Sequence, residues 1–313
     1  MSYTLDDGLT LKNLLGAKSC DELDRLVGEV VAARQVEINV GLGPEPSFDV
    51  GYLKGIHKYL FQNAFEWAGH FRHEPFQLSD GTTAQAPRLL KIGGADFAVG
   101  NQIDRELNAL MSQLKENDYL RGLDRAGFVR KAAHVLAALN GIHPFREGNG
   151  RTQRQFMKAL AAAAGHAIDF RVISGERMAV ASIAANERQD MGPMLRMFAD
   201  VTDPERVKAL KSVIAVFEKF RPRREPHVSS WNHLYLATTE PGQKYEGVFA
   251  GTDNKTFMLQ PDRTTIIVGN AIDLPDPRPE RGSRITVIAS YPGASITEKR
   301  RATPRAPGRG KKR

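Results

Sequence analysis

GIHPFREGNGRTQRQFMK, residues 141–158, is the stretch on which the reading of this chain turns. Before it, a segment rich in Ala, Val and Leu (131–139) has helical character and ends at Asn140-Gly141. A short loop runs from His143 to Gly150. A second helix is predicted from Arg151 through Phe156, Leu160 and Ala164 to a terminal Gly165. Gly148-Asn149-Gly150 thus stands directly before a helix N-terminus. The first turn of a helix carries unpaired N–H groups and the positive end of the dipole. Glycines let the backbone come close to an anion, so the spacing predicts a phosphate cradle. Arg151 and Arg154 lie three apart, on one helix face, and both guanidinium groups can reach one polyphosphate. Glu147 beside bound phosphates requires a bridging cation, and Mg²⁺ is the usual one. His143, at the other end of the loop, is a candidate general base for an incoming hydroxyl. The set suits transfer of a nucleotidyl or phosphoryl group to a hydroxyl. Spacing alone leaves open which phosphorus is attacked. The P-loop pattern and the kinase Gly-rich and H-R-D patterns are absent.

Residues His143 to Arg154 match the signature H-P-F-x-[DE]-G-N-G-R-x-x-R at every specified position. Here the sequence resembles the Fic family of protein AMP-transferases. The stretch 52–72 (YLKGIHKYLFQNAFEWAGHFR) resembles the family's upstream helix and W-A-G-x-x-R segment. The resemblance implies that His143 deprotonates a Tyr, Thr or Ser hydroxyl of a target protein. It implies that Glu147 holds Mg²⁺ and that Gly148, Asn149 and Gly150 surround the α- and β-phosphates of ATP. Arg151 would contact the β-phosphate and Arg154 the γ-phosphate. The hydroxyl would attack the α-phosphorus, with pyrophosphate leaving. A flap that docks the target by strand addition falls on LKIGGADF (90–97), with Leu90, Lys91, Ile92, Gly93 and Gly94 as docking residues.

Ser19 and Glu22 form a capping box for a helix reaching about Val36. Residues 49–65 set Tyr52, Ile56, Tyr59, Leu60 and Phe65 near one helix face. Residues 70–95 are too rich in Gly, Pro, Thr and His for a helix and read as a long hairpin or loop. Helices are predicted at 96–116, 125–140, 151–164, 174–186 and 190–199, then from Pro204 to about Phe220. Short β-rich runs follow at 231–238, 245–250, 256–260, 264–269 and 284–290. The fold class expected is mainly α, a Fic-type helical bundle with a β-hairpin flap, followed by a small all-β OB-like barrel. The expected domains are an N-terminal helical segment (1–40), the Fic domain (41–220), a linker (221–229), the OB-like domain (230–294) and a basic tail (295–313).

The net charge of +8 lies in the last fifteen residues, which hold eight Lys or Arg and no acid. The rest balances at 36 basic and 36 acidic side chains, so nucleic-acid binding by the β-rich region is not expected. No apolar run is long enough to span a membrane. One cysteine, Cys20, excludes an intrachain disulfide and a cysteine-built zinc site, and fits the reducing bacterial cytoplasm.

The layout resembles type IV-secreted Bartonella effectors and related conjugation toxins. This implies the type IV secretion machinery as a partner and translocation into a recipient or host cell. The sequence has no room after about residue 295 for the helical delivery domain of those proteins. Family inhibitory helices follow [ST]-x-x-x-E-[GN], and Ser112 to Asn117 fits. It lies in a helix of the catalytic core, so we read it as coincidence and expect inhibition by a small antitoxin protein. The alternative functions are a binding or toxin module using another phosphate-containing donor, and a docking scaffold acting through the OB-like domain and basic tail. His57, His70, His73 and His134 read as structural, and Tyr52, Tyr59 and Phe61 as core.

Overall fold

The computed structural model describes residues 3–90, 97–219, 231–253 and 255–294. Local chemistry sets most element ends. Ser19 accepts from the Glu22 amide at 3.4 Å and opens α1 (Cys20–Asn39). Glu22 reaches back to the Lys18 amide rather than to that of Ser19. Asp49 caps α2 (Val50–Phe61) through the Tyr52 amide at 2.7 Å. α2 stops short of the expected Phe65 because the chain tightens there, Ala64 N–H bonding back to the Phe61 carbonyl. Two short strands, β1 (Phe76–Gln77) and β2 (Thr83–Ala84), make the hairpin read from 70–95. α3 (Gln102–Glu116) begins later than the predicted residue 96. Asp124 caps α4 (Arg125–Ile142), and Gly148 precedes α5 (Asn149–Ala163). α6 (Gly175–Glu187), α7 (Gly192–Thr202) and α8 (Pro204–Lys219) complete eight α-helices among the described residues.

The chain divides into two compact units, Met1–Ile168 with Ser182–Phe198, and Asp169–Ala181 with Ala199–Arg313. One boundary lies between Ile168 and Asp169, and the other two fall inside α6 and α7. In the first unit α5 packs against α2 and α4. Leu53, Ile56, Leu60 and Phe61 of α2, Phe128 and Leu139 of α4, and Phe156 and Leu160 of α5 are fully withdrawn from water. This apolar block fixes the α4–α5 loop from beneath.

The second unit carries a five-stranded sheet of β3 (Tyr235–Thr238), β4 (Lys244–Thr252), β5 (Thr256–Gln260), β6 (Thr265–Asn270) and β7 (Arg284–Ile288), in the order β3-β6-β5-β4-β7. β3 and β6 run parallel and the remaining pairs antiparallel. Among the described residues β7 does not pair with β3, so the sheet is open in this description and the expected barrel closure is absent from it. Phe249, Phe257, Leu259, Ile267 and Val287 form its core. β3 begins at Tyr235 rather than at 231, because Leu234 N–H bonds back to the Trp231 carbonyl and Asn232 accepts from the Gly175 amide. Asp200, wholly buried, pairs with Arg177 at 2.7 Å and Arg206 at 3.0 Å, and accepts from Thr238. Burial alone would raise its carboxyl, but the two guanidinium groups and Thr238 outweigh it and hold it below the ordinary value. The segments expected as linker (221–229) and tail (295–313) lie outside the described residues.

Candidate active site

The loop between α4 and α5 is held by contacts to its main chain from several elements. His143 caps α4 in the left-handed region, φ 50°, with its amide on the Leu139 carbonyl at 3.0 Å. That conformation is uncommon for a residue with a side chain. It is stabilised by Arg72, whose Nε donates to the His143 carbonyl at 2.8 Å. The imidazole of His143 stacks on Phe97, ring centroids 4.0 Å apart. Asn149, buried, closes the far side: its Oδ1 accepts from the Phe145 amide at 2.9 Å and its Nδ2 donates to the Phe145 carbonyl at 2.8 Å. Asn149 thus orders the loop from within.

His57 provides a third support. Its Nδ1 accepts from the Gly69 amide at 2.8 Å, so the proton sits on Nε2, which faces the Glu147 carbonyl at 3.0 Å. The ring stacks on Phe145 at 3.8 Å. Burial pushes the His57 imidazole down to about 3. The Glu147 carbonyl opposes this and the Arg151 charge adds to it. The folded protein therefore binds fewer protons at this site than the unfolded chain, and the stability involved is present above pH 6.5 and lost as pH falls below it. Between pH 7 and pH 5 the contribution lost is about 2 kcal/mol. Urea titrations of the parent and of His57→Gln should show their stability difference shrinking by about that amount over this interval. A constant difference would remove the charge argument.

At the start of α5 the backbone is bare by necessity. Gly148 has φ 81°, and a Cβ there would lie 2.4 Å from the Phe61 ring. A Cβ on Gly150 would lie 3.3 Å from Nη1 of Arg154. Glu147 Oε1 accepts from the Gly148 amide at 2.8 Å and from Arg151 Nη2 at 3.2 Å. Its second oxygen has no hydrogen-bond partner among the described residues. The Arg151 guanidinium lies over Phe61, 4.9 Å from its centroid. Arg154 is half-buried and pairs with no carboxylate among the described residues. Burial, and then the like charge of Arg151, press its pKa down. A cation desolvated beside another cation at a helix N-terminus is a site built for an anion.

His143 lies at the end of α4, Glu147 and Gly148 in the loop, and Asn149, Gly150, Arg151 and Arg154 in the first turns of α5. Leu90 is exposed, while Lys91, Ile92, Gly93 and Gly94 lie outside the described residues. The stem around them is described: the Phe97 amide donates to the Leu89 carbonyl at 3.0 Å. Arg72 and His57 are the supports that sequence reasoning missed as site residues. The signal for Arg72 was its place as the fixed arginine of the W-A-G-x-x-R segment. His73, Glu74 and Asp104 bring three potential metal ligands within 4.8 Å of one another. Glu74 is engaged by Lys54 at 2.6 Å and His73 by Asp104 at 2.7 Å, and we assign no metal there. No helix among the described residues is long and apolar enough to cross a membrane.

A family model described as Fic/DOC family matches residues 47–161. A protein adenylyltransferase of Bartonella henselae is 37% identical over 294 residues, 92% of this chain and 52% of its own length. The chain therefore spans about half of that curated relative. The solved structure of the type IV secretion system effector protein BepA superposes with a TM-score of 0.84 at 35% identity, covering 94% of this chain and 97% of that one. The structure of BepC from Bartonella tribocorum with bound AMPPNP is 41% identical, with a TM-score of 0.62 over 64% of this chain and 96% of that one. Likeness at this identity across nearly the whole of a solved relative reflects common descent, and the chain belongs to the Fic/DOC family.

Proposed function

We propose that the protein transfers AMP from ATP to a Tyr, Thr or Ser hydroxyl of a target protein and releases pyrophosphate. The observation that carries this reading is Arg154, a half-buried guanidinium beside Arg151 with no carboxylate partner among the described residues, at the bare N-terminus of α5. Two adjacent cations and the first-turn amides suit a triphosphate better than a single phosphate. The name of the Bartonella henselae relative and the AMPPNP bound in BepC support the same nucleotide chemistry.

In this reading His143 takes the proton of the acceptor hydroxyl. The hydroxyl oxygen bonds to the α-phosphorus as the bond to the β-phosphate oxygen breaks, and pyrophosphate leaves. Gly148, Asn149 and Gly150 surround the α- and β-phosphates, Arg151 meets the β-phosphate and Arg154 the γ-phosphate. Glu147 suits Mg²⁺: one oxygen is engaged and the other open, and the ion when bound would offset phosphate charge. Leu90 to Gly94 dock the target chain by strand addition.

We read the five-stranded sheet as an OB-type module, on the strength of its strand count and its parallel β3–β6 pair. Likeness to a type IV secretion system effector supports delivery into a recipient or host cell by that route. Inhibition by a small antitoxin protein fits Arg154, which has no carboxylate partner among the described residues. Glu116, in the Ser112–Asn117 string, is exposed at the end of α3.

Incubation of bacterial and host lysates with α-labelled and γ-labelled ATP tests the reading. Label retained on protein from the α position alone is expected, and label from the γ position alone would replace AMP transfer by phosphotransfer. Arg154→Ala should weaken AMPPNP binding by about 10- to 100-fold, the worth of charged hydrogen bonds. Calorimetric titration showing unchanged affinity would reject the γ-phosphate role.

A further inference from the structure

Arg72 follows α2 in the chain and is wholly buried. Its guanidinium donates to five main-chain carbonyls that come from two separate parts of the first unit. On one side stand Ile142 at 3.4 Å and His143 at 2.8 Å, the end of α4 and the residue proposed as base. On the other stand Ala86 at 3.2 Å, Pro87 at 2.9 Å and Ala98 at 2.5 Å. These last three flank the segment proposed to dock the target. The main chain of Arg72 repeats the pattern: its amide donates to the Pro144 carbonyl at 2.8 Å, and its carbonyl accepts from the Ala86 amide at 2.6 Å. Next to Ala98, the Phe97 ring lies on the His143 imidazole.

Carbonyls left over at the end of a helix and in a loop need donors, and Arg72 supplies them from a buried position. A planar fork of five N–H groups can serve both sides at once, and an ammonium with three donors on a flexible stem cannot. We propose that Arg72 is a positioning residue that couples the stem of the target-docking segment to the His143 backbone. A target strand seated on that segment is then held in register with the imidazole. Arg72 is wholly buried and acts here through main-chain carbonyls. The inference rests on the AMP-transfer reading for its consequence, but the coupling itself can be measured without it.

The test uses the full chain carrying Arg72→Lys. The variant is expected to bind AMPPNP within about threefold of the parent, because the five carbonyls that Arg72 meets lie outside α5. AMP transfer at saturating ATP is expected to fall by on the order of 100-fold, the scale of a reacting group displaced by about 1 Å. Transfer within threefold of the parent, or AMPPNP affinity falling in step with rate, would overturn the proposal. If the parent itself transfers no AMP, the functional reading fails and amide exchange still decides the coupling. Arg72→Lys should speed exchange at Arg72, Ala86 and Ala98 together while leaving Thr152 of α5 unchanged. Unchanged exchange at the three, or equal acceleration at Thr152, counts against it. Should Arg72→Lys fail to fold, the parent is followed in rising urea. Arg72, Ala86 and Ala98 are expected to open as one unit distinct from Thr152, and separate openings reject the coupling.

Discussion

His143→Ala is expected to lower AMP transfer by about 10³-fold while AMPPNP binding stays within about twofold, since general-base catalysis contributes on this scale. The two effects separate because the groups that perform them come from different elements. His143 ends α4, whereas the cradle begins α5, and Asn149 orders the connection through Phe145 with no contribution from the imidazole. The backbone at His143 is held by Arg72 and by the Leu139 carbonyl, neither of which the substitution removes. Loss of the ring also frees one face of Phe97. Two further variants separate geometry from chemistry. His143→Asn keeps a side chain tolerant of the left-handed backbone but cannot take the proton, and should be as inactive as His143→Ala. His143→Gly should match it as well, although it relaxes φ 50°. Label from α-labelled ATP, measured on the same lysate under saturating nucleotide, gives the rates. A His143→Asn protein that labels at the parent's speed would remove the imidazole from the reaction.

What could be read from the chain, and what could not, follows the range of the forces involved. The start of α5 was legible because its physics is local: a helix start, two flanking glycines and two arginines one turn apart all fall within residues 148–154. The strand at Thr256–Gln260 was legible for the same reason, its alternation of Phe257 and Leu259 inward being a property of five consecutive residues. His57 was different. It sits in an apolar helical pattern and reads as an ordinary core histidine, which it is by burial. Its Nε2 faces a carbonyl 90 residues away, and no local pattern encodes such a contact. Arg72 reaches partners 14 to 71 residues distant. The W-A-G-x-x-R resemblance marks the residue, but nothing local in it encodes those partners. Trp231 to Leu234 looked like strand by composition, but the Asn232 side chain and carbonyl are both taken by the start of α6. Residues 91–96, on which most of the docking segment falls, lie outside the described residues.

Gly148→Ala is expected to cost several kcal/mol of stability and to abolish tight AMPPNP binding, for two reasons that add. The backbone at Gly148 has φ 81°, where an alanine methyl costs about 1–2 kcal/mol. The methyl would also stand 2.4 Å from Cζ and 2.5 Å from Cε2 of Phe61, inside any real carbon–carbon contact. Overpacking of a filled core adds about 1–3 kcal/mol, and Phe61 has little freedom to yield. It is fully buried, stacked near His57 and Phe65 and covered by Arg151. The loop must move instead, and with it the first amides of α5 and the Glu147 carboxylate that Gly148 anchors. Phe61→Leu alone should cost stability through a cavity while leaving the cradle able to bind nucleotide. The double variant Phe61→Leu/Gly148→Ala should then recover a substantial part of the steric loss and none of the backbone loss, a coupling a mutant cycle detects as non-additivity. Thermal melts of the four proteins together with AMPPNP titrations give both quantities. Strict additivity, with Gly148→Ala binding nucleotide like the parent, would mean that the cradle does not depend on the close approach of glycine to the Phe61 ring.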